Sequence, residues 1–140
     1  MLQIQTLSPE RFRPYGELIC FNEQNMDQFQ VVLTEEILTG WRIAVKKVTE
    51  REIIFLGKHP DSRESFEPLS GIALICVAPQ ESPEDMEVFL LDRPVCLHKN
   101  VWHTLISLSE VATVKITENN VVSSDGYKMK EKMGLAVVEF

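Results

Sequence analysis

From Trp41 onward the chain is a succession of short runs rich in β-branched and aromatic residues, broken at close intervals by turn residues. WRIAVKKV, EIIFL, GIALICVAP and MEVFLL come first, and VWHTLISL, VATVKIT and GLAVVEF complete the series. Between them stand turn signals such as HPDSRES, PQESPED and LDRP, and no long helical period appears. A chain patterned this way is expected to close its strands into a sandwich or barrel.

The segments ahead of this region read differently. LQIQTLSPERFRPYGELI predicts a short strand and then a helical turn, with Ser8 as N-cap, Pro9 and Glu10 in the first turn, and a close near Pro14 to Gly16. This piece is expected on the outside of the barrel. Residues 21–40, FNEQNMDQFQVVLTEEILTG, are polar and weakly periodic, which predicts a long loop with some strand character around Gln30 to Leu33. Such an excursion can cover a pocket.

A chain of 140 residues is sized for one domain, 1–140, with enough apolar surface for a core of its own. Hydrophobic residues at 44% and charged residues at 25% are ordinary globular proportions, so no disulfide framework or structural metal is required for folding. A formal charge of −7, with Lys and Arg scattered, supplies no basic stripe for phosphate backbones and argues against nucleic acid. No h-region follows Met1 and no apolar run reaches membrane-spanning length, so the expected location is cytoplasmic, away from membranes. Cys20, Cys76 and Cys96 are odd in number and show no metal spacing, and are expected to be buried reduced thiols.

Chemistry concentrates around two stretches. HPDSRESFEPLSG has the form H-x4-E-x6-G and resembles the end of the first motif of metal-binding cupins, with Gly57 standing where that motif has its first histidine. RPVCLHKNVWHTLISL resembles the second cupin motif, where one histidine on a strand points inward, and His103 occupies that place. The resemblance implies an all-β cupin, a double-stranded β-helix or jelly-roll-like barrel, carrying a short N-terminal helical segment. Inward side chains of neighbouring barrel strands converge, so His59, Glu64 and His103 are expected together in the mouth.

A narrower resemblance covers more of the chain. KHPDSRESFEPLSG, ALICVAP and VWHTLISL, with the opening LSPERFRPYGELI, resemble the ureidoglycolate lyase (ureidoglycolate hydrolase) family, cupin enzymes of purine and allantoin catabolism that release urea and glyoxylate from ureidoglycolate. His59-Pro60, Phe66, Pro68-Leu69, Val77-Ala78-Pro79, His98 and Val101-Trp102-His103 fit that family's pattern in order, and the fit ends near Leu108. Departures are Gly57-Lys58 for the family's Glu-Arg, Glu64 for its Gln, and Thr104 for its second histidine. The tail 119–140 matches nothing in the pattern. The family also implies a small-molecule substrate and a homodimer.

Three functions fit these residues. In a C–N lyase, His59 and His103 serve as acid and base beside Glu64, and Lys58, Lys47 or Arg42 holds the substrate carboxylate. In a metal-dependent cupin of another substrate, His59, Glu64 and His103 hold a divalent ion; Glu64 in place of Gln favours this and Gly57 weakens it. No cofactor is certain. In a binding barrel the cavity is kept and the chemistry lost. His98, before a polar Lys99-Asn100 turn, reads as a rim residue, Trp102 as a core anchor, and Phe66, Leu69, Ile72, Leu74 and Phe89 as core.

Overall fold

The computed structural model describes residues 2–135. Its strands are β1 (Ile4–Gln5), β2 (Gly16–Leu18), β3 (Trp41–Val48), β4 (Glu52–Lys58), β5 (Glu64–Ser70), β6 (Ala73–Ala78), β7 (Glu87–Leu90), β8 (Val95–Leu97), β9 (Trp102–Ser107), β10 (Ala112–Asn119) and β11 (Asp125–Gly134), with one helix, α1 (Pro9–Phe12), between β1 and β2. They form a five-stranded sheet in the order β2-β8-β5-β10-β3 and a six-stranded sheet in the order β1-β7-β6-β9-β4-β11. The eight central strands pair antiparallel as β3-β10-β5-β8 and β4-β9-β6-β7. That is the order produced when a long hairpin ribbon folds over into two Greek keys, the jelly roll of cupins.

Period-2 alternation fills the space between the sheets. Val48, Phe66, Ile75, Val77, Phe89, Val95, Leu97, Leu105, Val114 and Ile116 meet in one buried cluster. β6 is buried on both faces, because a second cluster lies behind the six-stranded sheet. In β11, Lys128 pairs with Phe55 and Met133 with Ile53, so residues 129–132 stand against Ile54 alone. This bulge carries Met129 over Leu74, Cys76, Val88, Trp102 and Ile106. Within the stretch from 119 onward, Asp125–Gly134 is thus a pairing and covering strand. Of the expected strand GLAVVEF, residues 136–140 lie outside the described residues.

Several expectations are corrected. Ser8 does cap α1, its Oγ accepting from the Arg11 N–H at 3.2 Å, but the N-terminal segment does not pack on the outside. Phe12 and Tyr15 enter the main core and meet Phe89 edge-on, with centroids 5.2 and 6.2 Å apart, because the end of a jelly roll must be plugged and these rings supply apolar bulk. Residues 19–40 contain no strand. Leu69 and Ile72 are not core: they are 55% and 47% exposed, flanking the turn at the sheet margin. Cys20 is exposed; Cys76 and Cys96 are buried, and burial pushes their thiols up to about 12 and about 11. No helix among the described residues is long and apolar enough to cross a membrane.

The glycine of the first motif has a steric reason. Gly71 links β5 to β6 with φ of +69°, and a Cβ there would lie 2.2 Å from the Val111 carbonyl oxygen. The left-handed conformation alone costs a side-chain-bearing residue about 1–2 kcal/mol, and the clash adds to it. Gly71→Ala is therefore expected to lower the unfolding free energy by at least about 2 kcal/mol in chemical denaturation; a change within about 0.5 kcal/mol would mean that the turn can be rebuilt without strain.

Candidate active site

Three elements deliver the site. His59 follows β4, and its carbonyl accepts the N–H of Asn100 at 2.9 Å. Asn100 sits at φ of 66°, a conformation that Asn tolerates better than most residues. Asn119 pins the loop beyond His59: its amide Nδ2 donates to the Asp61 carbonyl at 2.9 Å and its backbone N–H to Ser62 Oγ at 3.0 Å. Glu64 opens β5, opposite Leu97 on one side and Glu118 on the other. His103 lies in β9 opposite Gly57 and Val77. Alternation along β9 turns His103 toward the interior and Trp102 to the far side of the sheet.

The three side chains meet. His103 Nε2 lies 2.7 Å from Glu64 Oε1 and His59 Nε2 3.4 Å from the same oxygen. The imidazole centroids are 5.2 Å apart, with the rings edge to face. Phe66 closes one side of His103, its ring centroid 5.6 Å away. Glu64 is buried, at 7% exposure.

Backbone carbonyls fix the tautomers. His103 Nδ1 lies 2.9 Å from the Val101 oxygen, and His59 Nδ1 lies 3.1 Å from the Ser123 oxygen with Ser124 Oγ at 3.0 Å. A carbonyl can only accept, so each Nδ1 carries the proton and each Nε2 is aimed at Glu64. Were both Nε2 atoms bare, Glu64 Oε1 would be a buried oxygen with no hydrogen-bond partner, facing lone pairs. A proton or a metal cation between imidazole and carboxylate resolves this.

The electrostatics agree. Burial alone would raise the Glu64 carboxyl, but hydrogen bonds from His103 and His59 outweigh it and hold the group well below the usual carboxylate range. The same hydrogen bond raises His59 against the opposing effect of burial. Glu118 is pushed up by burial and by its hydrogen bond with Glu64, with Arg42 pulling the other way. Arg42 donates from Nε at 2.9 Å and from Nη2 at 2.7 Å to Glu118 Oε2. Glu64, Glu118 and Arg42 stand in directly opposed register across β5, β10 and β3, so they share the inner face.

Of the three cations singled out from the sequence, the structure brings only Arg42 to this cluster. Lys47 pairs with Thr113 on the outward parity of β3, and the Lys58 ammonium sits 4.9 Å over the Trp102 ring, behind the sheet that carries His103. His98 Nε2 donates to the Arg13 carbonyl at 3.1 Å, tying the N-terminal segment down at the rim. Sequence reasoning missed Glu118. The signal was the alternation of Val114 and Ile116, which continued by two residues places position 118 on the inner face.

A family model described as ureidoglycolate lyase matches residues 1–132, well past Leu108 where the motif resemblance ends. A ureidoglycolate lyase of Agrobacterium fabrum is 30% identical over 122 residues, covering 73% of this chain and 74% of that one. Among solved structures, a dTDP sugar isomerase of Desulfovibrio desulfuricans aligns over 87% of this chain and 82% of its own, at 11% identity and a TM-score of 0.46. A Bacillus subtilis oxalate decarboxylase aligns over 65% of this chain at 14% identity and a TM-score of 0.46, and the chain spans 24% of that protein's length. The match of the family model along nearly the whole length, supported by the Agrobacterium relative, establishes that the chain belongs to the ureidoglycolate lyase family.

Proposed function

We propose that this protein cleaves ureidoglycolate to glyoxylate and urea. The observation that carries the reading is the convergence of two tautomerically fixed Nε2 atoms on one buried carboxylate oxygen. The reaction needs a base for the hydroxyl proton of the carbinolamide and an acid for the departing urea nitrogen. As the O–H proton leaves, its electron pair forms the aldehyde C=O, the C–N bond breaks, and the nitrogen takes up a proton. An imidazole pair that keeps one proton over Glu64 can do both, because it gives one proton and receives one. Arg42 is the fitting anchor for the substrate carboxylate, since Nε and Nη2 are held by Glu118 and the fork is thereby oriented.

His59→Ala and His103→Ala should each lower turnover by about 10²–10⁴-fold with the fold intact by circular dichroism, the usual scale of general acid–base catalysis. Glu64→Gln restores the residue of the family pattern and keeps turnover, but it removes the charge that raises His59. The sign follows: the His59 pKa falls, so the protonated acid is lost at lower pH and the alkaline limb of the kcat/KM profile moves to lower pH. Assay of urea and glyoxylate release comes first; no release with or without added Mn²⁺, Fe²⁺, Ni²⁺ or Zn²⁺ would sink the lyase reading in favour of a non-catalytic binding barrel.

A second reading is favoured by the donor set. His59, Glu64 and His103 offer ligand atoms within 4.8 Å of one another. The 2.7 and 3.4 Å spacings about Glu64 Oε1 bracket the separation of roughly 3 Å expected for neighbouring donors at 2.0–2.2 Å from one ion. The carbonyl bonds at both Nδ1 atoms are those that orient metal-ligating histidines. These three residues therefore fit a divalent ion, which when bound would act as a Lewis acid on the substrate's oxygens. Elemental analysis should then find about one ion per chain, and Glu64→Gln should lose it. Gly57→His should bind it more tightly, because position 57 faces His103 on the same side of the sheet and a Cβ there meets nothing nearer than 3.8 Å. Metal-free protein with undiminished lyase activity would exclude this reading.

Pairing into a homodimer is part of the proposal. β3 is a sheet edge, and its outward residues Ile43 and Val45 are 54% and 64% exposed, a surface that a second copy would cover. Light scattering should give a dimer at micromolar concentration and a monomer for Val45→Lys; a stable wild-type monomer would overturn it. A cytoplasmic location is consistent with three free cysteines.

A further inference from the structure

The loop 19–40 crosses the outer face of the five-stranded sheet and leaves an open cavity of about 440 Å³ between loop and sheet, with Phe29, Val31 and Trp41 largely exposed at its rim. Phe29, Val31, Val32 and Leu33 of the loop wall it, with Trp41 at one end. The opposite wall includes Ser65, Cys96 and Thr117. These three are cross-strand partners or near neighbours whose flanking residues Phe66, Leu97 and Ile116 point into the main core. By alternation the cavity lies on the far side of the sheet from Glu64. Glu118 borders it as well, with its carboxylate held by Arg42.

Arg63 is the cation that lines this cavity, beside the carboxylates of Glu35 and Glu118, and its Nε is buried without a hydrogen-bond partner. Among the described residues no carboxylate forms an ion pair with it. Glu35, the acidic residue that faces Arg63 across the wall, is taken by Lys99 at 2.7 Å. Arg63, Lys99 and Arg42 against Glu35 and Glu118 leave one positive charge in excess around the cavity, on a chain whose formal charge is −7. The buried Nε is closed to a ligand, but the terminal guanidinium nitrogens are not among the buried unpartnered atoms, and a carboxylate in the cavity can meet them with two parallel hydrogen bonds. The mostly apolar wall and the single cation suit a monoanion with an apolar body better than a phosphate dianion.

We propose that this cavity is a second binding site, for a small carboxylic acid with an apolar or aromatic body, its carboxylate held by Arg63 and its body by the loop side chains and Trp41. The site lies across the sheet from the His59–Glu64–His103 cluster, with Glu118 at the border of both, and the proposal does not depend on the lyase assignment.

The test uses the full chain with 4-phenylbutyrate and its uncharged analogue 4-phenylbutanamide. Calorimetry should show the acid saturating one site per chain and binding at least about tenfold more tightly than the amide. Backbone amide shifts should gather at residues 29–35, 63–65, 96 and 117, with the Trp41 indole moving and His59 and His103 still. Arg63→Met should bring the acid down to the affinity of the amide, and Val32→Trp, which fills the cavity, should weaken both. Absence of saturable binding at millimolar ligand, equal affinity of acid and amide, or shifts centred on His59 and His103 would each overturn the proposal. The comparison of acid with amide on the unaltered chain decides even if Arg63→Met does not fold.

Discussion

A carboxylate placed in a protein interior costs several kcal/mol unless cations and hydrogen-bond donors surround it, and Glu64 is such a group. Its neighbourhood is organised around that requirement. Two imidazoles approach one oxygen, each with a backbone carbonyl at its other nitrogen that favours the proton there. Behind it stands Glu118, its pKa raised by burial and by the neighbouring Glu64, with Arg42 donating to it at the sheet edge. The loop between β4 and β5 is held from two other parts of the chain, by Asn100 and by Asn119. The jelly roll supplies the three strands, and the buried charge dictates what stands on them.

How much of this was legible in the sequence follows from what alternation and spacing can carry. Strands such as Ala73–Ala78 and Trp102–Ser107 announce themselves by branched and aromatic residues, and the motif spacing located His59, Glu64 and His103 before any geometry. β5 was obscured, because Glu67 and Pro68 interrupt the apolar pattern and the strand reads as a turn; β8, with three residues, is too short to show a period. Lys47 and Lys58 could be sorted from Arg42 only by parity and register, which depend on the partner strand. Glu118 matters only because pairing sets it beside Glu64. Phe12 and Tyr15 were misplaced because the local sequence carries a helix cap but no statement of what the helix end will plug.

The five-stranded sheet serves two environments with one set of strands. At the start of β5, Glu64 and Phe66 face the interior, while Ser65 and Arg63, the residue just before the strand, face the space under the long loop. The inner face compensates its charge through histidines and Glu118, and the outer face leaves a guanidinium nitrogen unsatisfied. Adjacent residues Arg63 and Glu64 thus sit in opposite electrostatic circumstances, separated by the thickness of a single sheet.

Trp102 and His103 are neighbours that face opposite ways, and the tryptophan is the more tightly held. Its indole N–H donates to the Gln80 carbonyl at 2.9 Å, Lys58 lies over its ring, and Tyr127 of the bulged last strand packs against it with centroids 5.9 Å apart. The His103 imidazole is therefore anchored from behind. The entropy of fixing its backbone is lost during folding, when the rear of the sheet is sealed, and not when a substrate arrives. Seen this way, the last strand is a remote determinant of preorganisation: an alteration there, well away from any reacting atom, loosens or re-aims His103 by changing the surface on which its neighbour rests.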